Sequence, residues 1–232
     1  MPTAAPWNVP CRAQTPTYDG SGQAIHPSVL DFRQINGATW RGWRYWMAMT
    51  PLTKTDDQTE NPQILVSQDG FHWYDPPGIR KPLFFPPVGG FLSDTHLQYD
   101  PDADELVMLY RVFDGVTHLP HIVRSSNGSD WPTTSVGITF ARAEQILSPC
   151  LVRVGPGDWH LYGLTRDTRV FQRWTSTDLC SWQGPTNLTG LNDVPTPWHL
   201  DVRVVDGVFH MLIDRGPRYL TPDDGYRAAT SL

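Results

Sequence analysis

The stretch Val66-Ser67-Gln68-Asp69-Gly70-Phe71-His72-Trp73 decides the reading of this chain. It reads as the end of a strand, a tight Asp-Gly turn and a Trp that folds back onto the sheet. An Asp-Gly pair between apolar runs is a strong hairpin signal, because a two-residue type I′ turn needs φ > 0 at both central positions. The spacing recurs. Ser125-Ser126-Asn127-Gly128-Ser129-Asp130-Trp131 has Asn for Asp, and Ser176-Thr177-Asp178-Leu179-Cys180-Ser181-Trp182 has Leu for Gly. The leading serines, Ser67, Ser125 and Ser176, stand 58 and 51 residues apart. A period near fifty residues in strand-rich sequence points to the blades of a β-propeller. Trp73, Trp131 and Trp182 track the repeat and are read as structural.

Strand patterns extend outward from each copy. Blade one, 25–90, has strands at 25–32, 43–49 and 63–67, a turn at Asn36-Gly37 or Arg41-Gly42, and a short fourth strand opening at Trp73. Blade two, 91–145, has strands at 95–99, 105–113 and 121–125. Blade three, 146–195, has strands at 150–154, 159–165 and 170–176. Blade four, 196–232, has strands at 200–205, 208–214 and 226–231. No segment reads as a helix. Residues 1–24 are rich in Pro, Thr and Gly and read as a lead-in segment to a propeller domain over 25–232. A fourth motif copy begins at Arg227-Ala228-Ala229-Thr230-Ser231, 55 residues after Ser176, and the chain stops at Leu232 before the turn and Trp. The expected fold is therefore all-β, a propeller of the five-bladed type with about four blades encoded and the last incomplete. On this reading the chain is a fragment, or a partner supplies the missing strand. A β-sandwich is the competing architecture, although sandwiches show turn signals every 8–12 residues without a longer period.

Composition agrees with short strands and tight loops: 232 residues include 10 Trp, 22 Pro and 19 Gly, with only 18% charged. Many Trp also suit a carbohydrate-facing surface. A net charge of −6 without any Lys/Arg run argues against nucleic acid or anionic membranes as partners. No apolar run reaches the length of a membrane span, so membrane insertion is not expected. Met1-Pro2-Thr3-Ala4-Ala5-Pro6 has neither the basic flank nor the apolar stretch of a secretory signal. Cys11, Cys150 and Cys180 form no even-numbered disulfide framework; the last two read as buried small apolar residues of a protein assembled in a reducing compartment. No metal-ligand spacing, phosphate loop or nucleophile elbow appears, and no cofactor is expected. Asn127-Gly128-Ser129 and Asn187-Leu188-Thr189 match glycosylation acceptors but are read as chance.

Propeller geometry places the starts of first strands and the loops between second and third strands on one rim. That rim collects His26 and Glu60 from blade one, and Asp94, Arg111 and His121 from blade two. Blade three adds Ser148 and Arg166. Blade four adds Trp198, His199, Asp201, Asp214 and Arg215. Acids and arginines orient sugar hydroxyls, and an aromatic face covers the apolar side of a ring. Plainer roles stand beside these. Asp94 can satisfy loop amides, His26 and His199 can be packed edge residues, and Arg111 and Arg166 can bridge blades.

His26-Pro27-Ser28-Val29-Leu30, Tyr45-Trp46-Met47-Ala48-Met49-Thr50-Pro51, Glu60-Asn61-Pro62-Gln63-Ile64 and Trp198-His199-Leu200-Asp201-Val202 resemble the five-bladed β-propeller glycosidase superfamily. Within it the chain is most similar to glycosidase-like propellers of bacteriophage tail proteins. The resemblance implies three acids around the channel: a base in blade one, an assisting Asp in blade two and an acid Glu in blade three. Those positions fall at His26, Asp94 and Ser148, so two of the three carboxylates are missing. One general acid or base contributes roughly 10²–10⁴ in rate, and losing a pair should abolish ordinary hydrolysis. Asp94, Glu60 and Asp201 are the remaining catalytic candidates, and whether the chain is an enzyme stays open at this point. His26, Glu60, Asp94, Arg111, Arg166, Trp198, His199 and Asp214 are the expected ligand-binding residues. The resemblance implies a glycan-binding or structural propeller on a phage virion, a minor tail component made in the host cytoplasm. Its expected partners are a host-surface carbohydrate and other tail proteins, in a homo-oligomeric or larger assembly. The alternatives are an active glycoside hydrolase on cell-surface polysaccharide and a purely architectural tail domain.

Overall fold

In the computed structural model, residues 13, 15–53, 57–133, 135–138, 145–191 and 197–214 and the backbone of 227–231 are described. They form four antiparallel sheets in chain order. The first holds β1 (Ala24–Asp31), β2 (Tyr45–Pro51) and β3 (Gln63–Ser67). The second holds β4 (Phe91–Asp100), β5 (Glu105–Phe113), β6 (His118–Ser125) and β7 (Val136–Gly137). The third holds β8 (Ile146–Gly155), β9 (Asp158–Thr165), β10 (Phe171–Ser176) and β11 (Gln183–Asn187). The fourth holds β12 (Leu200–Val205), β13 (Val208–Ile213) and β14 (Arg227–Ser231), with β13 in the middle. The first strands β1, β4, β8 and β12 neighbour one another in that order, as blades around a channel require.

The core lies between successive sheets rather than within any one. Trp46, Ile64, Leu97 and Met108 join the first sheet to the second. Leu109, Ile146, Leu161 and Trp174 join the second to the third, and Leu164, Val202 and Ile213 join the third to the fourth. Each strand buried on both faces reads as an unbroken apolar run, as in Leu106–Tyr110, whose five residues are all buried.

The repeated motif is not the type I′ hairpin that its Asp-Gly pair suggests. Only Gly70 has positive φ (80°) in the first copy. Ser67 Oγ accepts from Gly70 N (2.9 Å), and Asp69 Oδ1 accepts from Phe71 N and His72 N (both 2.8 Å). Trp73 Nε1 donates to Gly70 O at 3.1 Å. The second copy repeats this with Asn127 Oδ1 on Ser129 N and Asp130 N, and Trp131 on Gly128 O. The third uses Asp178 on Cys180 N and Ser181 N, and Trp182 on Leu179 O. What the motif needs is therefore a side-chain oxygen acceptor and one left-handed residue, and Leu179 supplies the latter at φ 64°. Among the described residues, a single bridge, Val66 to Tyr74, stands in place of the expected strand at Trp73.

Two-residue turns with both φ positive occur at Arg41-Gly42 (48° and 84°), closed by paired hydrogen bonds between Trp40 and Trp43, and at Asp206-Gly207 (51° and 76°), between the paired Val205 and Val208. Asn36-Gly37 instead ends a short helix that the sequence does not announce, α1 (Phe32–Asn36), capped at its start by Asp31 and at its end by Gly37 at φ 76°. A 3-10 turn spans Asp57–Thr59. Cys150 is buried, but Cys180 is exposed, because it sits at the tip of the third motif copy. In the lead-in segment, Tyr18 N donates to Gln63 Oε1 (2.9 Å) and Tyr18 Oη to Thr59 O (2.8 Å), laying it along the first sheet.

Candidate functional site

Three first strands break their pairing at the same point. The ladder shifts register between Ile25 and Ser28, between Ser93 and His96, and between Leu147 and Cys150. Inside each bulge one non-glycine residue takes a left-handed backbone: His26 (φ 52°), Asp94 (50°) and Ser148 (47°). Each such residue costs about 1–2 kcal/mol in backbone energy, and such strain persists where the surrounding structure over-determines it, commonly at functional sites. These are also the three positions at which the family resemblance places channel acids. Together with His199, at the entry to β12, they line a cavity of about 1200 Å³ at the channel mouth.

Asp94 is the anchor. Its Oδ2 accepts from Arg111 Nε (2.5 Å) and from Ser148 N (3.1 Å), while Oδ1 lies 3.2 Å from His26 Nε2. Burial alone would raise its pKa, but Arg111, His26 and His199 outweigh burial and hold the carboxyl well below the usual range. Arg111 also meets His118 and lies over the Phe91 ring. Burial, with His199 and Arg111 adding to it, pulls His26 down to about 4 against the opposing pull of Asp94, so its imidazole is neutral near pH 7. His26 Nδ1 faces Thr50 Oγ1 (3.3 Å) and Glu60 Oε2 (3.6 Å). Glu60 is pushed up to about 8, first by burial and then by the Asp94 charge.

Ser148 fixes the other histidine. Its hydroxyl donates to Trp198 O (2.7 Å) and so must accept from His199 Nδ1–H at 2.8 Å. In the neutral ring this tautomer puts the lone pair on His199 Nε2. The two imidazoles face one another with centroids 5.0 Å apart. His26, Asp94 and His199 each offer a ligand atom, and the three atoms lie within 4.8 Å of one another.

The donor set fits a divalent cation. It is two imidazoles and an ionised carboxylate, the ligand classes that hold Zn²⁺ and its neighbours with a position left open. A cation there requires the Nδ1–H tautomer of His26, which Thr50 and Glu60 are placed to receive. Glu60, pushed up to about 8, is mainly a neutral acid near pH 7 and can receive that proton on its carbonyl oxygen; such outer-shell bracing of a ligating imidazole is a recurrent feature of metal sites. The sequence shows no metal-ligand spacing because the donors are 68 and 105 residues apart and meet only through the ring. Thr50 gave no signal of its own; it arrives through its register opposite Ile25.

All the expected ligand-binding residues except Asp214 line the cavity. Asp214 Oδ1 instead accepts from Trp198 N (3.0 Å) and His199 N (2.8 Å), holding the turn that presents them. Trp198 is partly exposed, and the Arg169 guanidinium stacks over its ring at 4.4 Å. Arg166 contributes to the wall beside Arg169, a residue the sequence did not single out. Asp201 is bound to His96 at 3.0 Å and to Arg203 at 3.3 Å, apart from the Glu60–His26–Asp94 line. Arg215 lies outside the described residues.

No family model matches the chain. An enzyme named A type blood N-acetyl-alpha-D-galactosamine deacetylase, from Flavonifractor plautii, is 38% identical over 132 residues, covering 54% of this chain. The chain spans 16% of that relative's length. Among solved structures, an N-acetylgalactosamine deacetylase from F. plautii superposes with a TM-score of 0.80 at 21% identity, covering 96% of this chain and 71% of that one. A family 117 glycoside hydrolase from Zobellia galactanivorans gives 0.61 at 14% identity, over 95% and 70% of the two chains. An endo-arabinase from Bacteroides thetaiotaomicron gives 0.56 at 14% identity, over 81% and 70%. The chain thus has the β-propeller fold of the glycosidases, and its relatives are carbohydrate-processing enzymes.

Proposed function

We propose that this propeller is the catalytic domain of a carbohydrate-processing enzyme that removes the acyl group from an N-acylated amino sugar. The observation that carries the reading is the convergence of His26, Asp94 and His199 within 4.8 Å at the floor of a sugar-sized cavity. The deacetylase relative points to the same chemistry. Asp/His/His ligation also resolves the difficulty of the missing acids, since amide hydrolysis at such a centre does not need the glycosidase pair. A divalent cation held by His26, Asp94 and His199 would polarise the amide carbonyl and activate a water. The protein's own residues do the rest. Arg111 and Ser148 N hold Asp94 ionised and aimed, Ser148 Oγ fixes the His199 tautomer, and Thr50 with Glu60 orients His26. Asp214 sets the turn that presents Trp198 to the sugar.

Glycoside hydrolysis is the second reading, favoured by one fact: the proton affinities of Glu60 and Asp94 are driven apart, as in an acid–base pair. Against it, both oxygens of Asp94 are already engaged. The products separate the two. Incubation of the metal-loaded protein with N-acetylgalactosamine-terminated oligosaccharides is expected to release acetate and leave the glycosidic bonds intact. Released monosaccharide without acetate would overturn the deacylase reading.

The virion location, as a phage minor tail component facing host glycans, is likewise proposed, on the sequence resemblance. Immunogold labelling of purified virions with an antibody to this chain tests it; unlabelled tails would overturn it.

A further inference from the structure

The inner strands carry a second tier of donors two residues beyond the first. Asp94 is followed on β4 by His96, Ser148 on β8 by Cys150, and His199 on the β12 side by Asp201. His96 Nε2 lies 3.0 Å from Asp201 Oδ1 and 3.4 Å from Cys150 Sγ, and Cys150 Sγ lies 3.7 Å from Asp201 Oδ1. We propose that His96, Cys150 and Asp201 form a second, thiolate-containing binding site for a borderline-soft divalent cation such as Zn²⁺.

The edges of the triangle support this. Tetrahedral bonds of about 2.3 Å to sulfur and 2.0–2.2 Å to nitrogen and oxygen put donor atoms roughly 3.3–3.6 Å apart, close to the three separations found. Burial and the Asp201 carboxylate push the Cys150 thiol up, so without a cation the site holds a thiol. Val202 N donates to Cys150 Sγ at 3.2 Å, the kind of outer contact that stabilises sulfur bearing negative charge. Arg203 Nε holds the second oxygen of Asp201 at 3.3 Å, leaving Oδ1 for the cluster. Among the described residues His96 Nδ1 has no hydrogen-bond partner, so within them the buried ring is oriented from its Nε2 side. Sulfur in the donor set selects Zn²⁺ or Co²⁺ over Mg²⁺ and Ca²⁺. On binding, the Cys150 thiol releases its proton to solvent and the sulfur lone pair forms the bond to the cation. The three ligands come from three sheets, so this cation ties the second, third and fourth blades together at the axis and adds to the stability of the ring. The site is independent of the first tier, which contains no sulfur.

Cobalt reports on it directly. The chain in a Cys11→Ser, Cys180→Ser background, stripped with chelator and titrated with Co²⁺, is expected to show a thiolate-to-metal charge-transfer band in the near ultraviolet. Saturating Zn²⁺ is expected to raise Tm by roughly 5–10 °C. Cys150→Ser should remove the band, while His26→Ala with His199→Ala should keep it, which separates failure here from failure at the first tier. A folded protein with no band, or a band that persists in Cys150→Ser, would overturn the proposal. Should Cys150→Ser not fold, Asp201→Asn decides: at least a tenfold loss of Co²⁺ affinity supports the site, and unchanged affinity overturns it.

Discussion

His26 Nε2 and Asp94 Oδ1 face each other at 3.2 Å across the channel, each delivered by a bulge in which its own backbone is left-handed. In the Nδ1–H tautomer, with Thr50 and Glu60 receiving that proton, the neutral imidazole turns a lone pair toward the carboxylate, and a cation between the two acceptors would reconcile them. Stripping the protein with chelator is accordingly expected to abolish acetate release, and one equivalent of divalent metal to restore it. His26→Ala and His199→Ala should each lower kcat/KM at least a hundredfold without changing the cooperativity of unfolding, checked by acetate assay and calorimetry.

Ser148 acts through His199 and not on substrate. Ser148→Ala removes the acceptor of His199 Nδ1–H and is expected to weaken metal binding about 10–100-fold. Raising the metal concentration should rescue its kcat. A kcat that stays low at saturating metal would show that the hydroxyl has another task.

Arg111 and Asp94 form a buried pair. Arg111→Met leaves the Asp94 charge without its main partner and is expected to destabilise the fold by about 3–5 kcal/mol, read from denaturant midpoints. A loss under 1 kcal/mol would mean that Ser148 N and the imidazoles suffice.

Gly128 packs its Cα against the first blade: a Cβ there would lie 2.2 Å from the Trp46 ring, at φ 77°. Gly207 has nearly the same φ, 76°, but nothing within 4 Å. Gly207→Ala should therefore cost about 1–2 kcal/mol from backbone strain alone, and Gly128→Ala about 1–3 kcal/mol more from overpacking. Equal losses in thermal melts would contradict a tight contact between blades one and two.

The motif caps are also a source of pH dependence. Backbone N–H bonds from Ser181 and Cys180 lower Asp178 from 3.8 to about 2. A depressed folded-state pKa gives stability that is present above 3.8 and lost as pH falls through about 2. Asp178→Asn keeps the acceptor oxygen, as Asn127 does naturally in the second copy, but has no proton to gain. The Tm advantage of the parent over this variant should shrink between pH 5 and pH 2, and a constant difference would contradict it.

Much of the fold was legible because it is written locally. Apolar runs such as Leu106–Tyr110 and the Ser/Asp/Trp motif mark strand and turn within a few residues of chain. The details that failed are those set by tertiary context. Asn36-Gly37 became a helix cap instead of a hairpin, since Asp31 was free to cap Phe32–Asn36. Leu179 took the left-handed position that the other copies give to Gly, because the acceptor oxygens of Ser176 and Asp178 fix that turn without it. The rim was legible as a collection of polar residues, but not its chemistry. His26, Asp94 and His199 belong to different sheets, and nothing near any one of them in sequence announces the other two.

The most direct test is anomalous diffraction from crystals of the chain grown with Zn²⁺ or Mn²⁺, collected at the metal edge. The predicted result is a peak bonded at about 2.0–2.2 Å to His26, Asp94 and His199, with His26 Nδ1 turned to Thr50 and Glu60. A metal-saturated crystal with no peak there, and His26 Nε2 donating directly to Asp94, would contradict a metal-dependent hydrolytic centre.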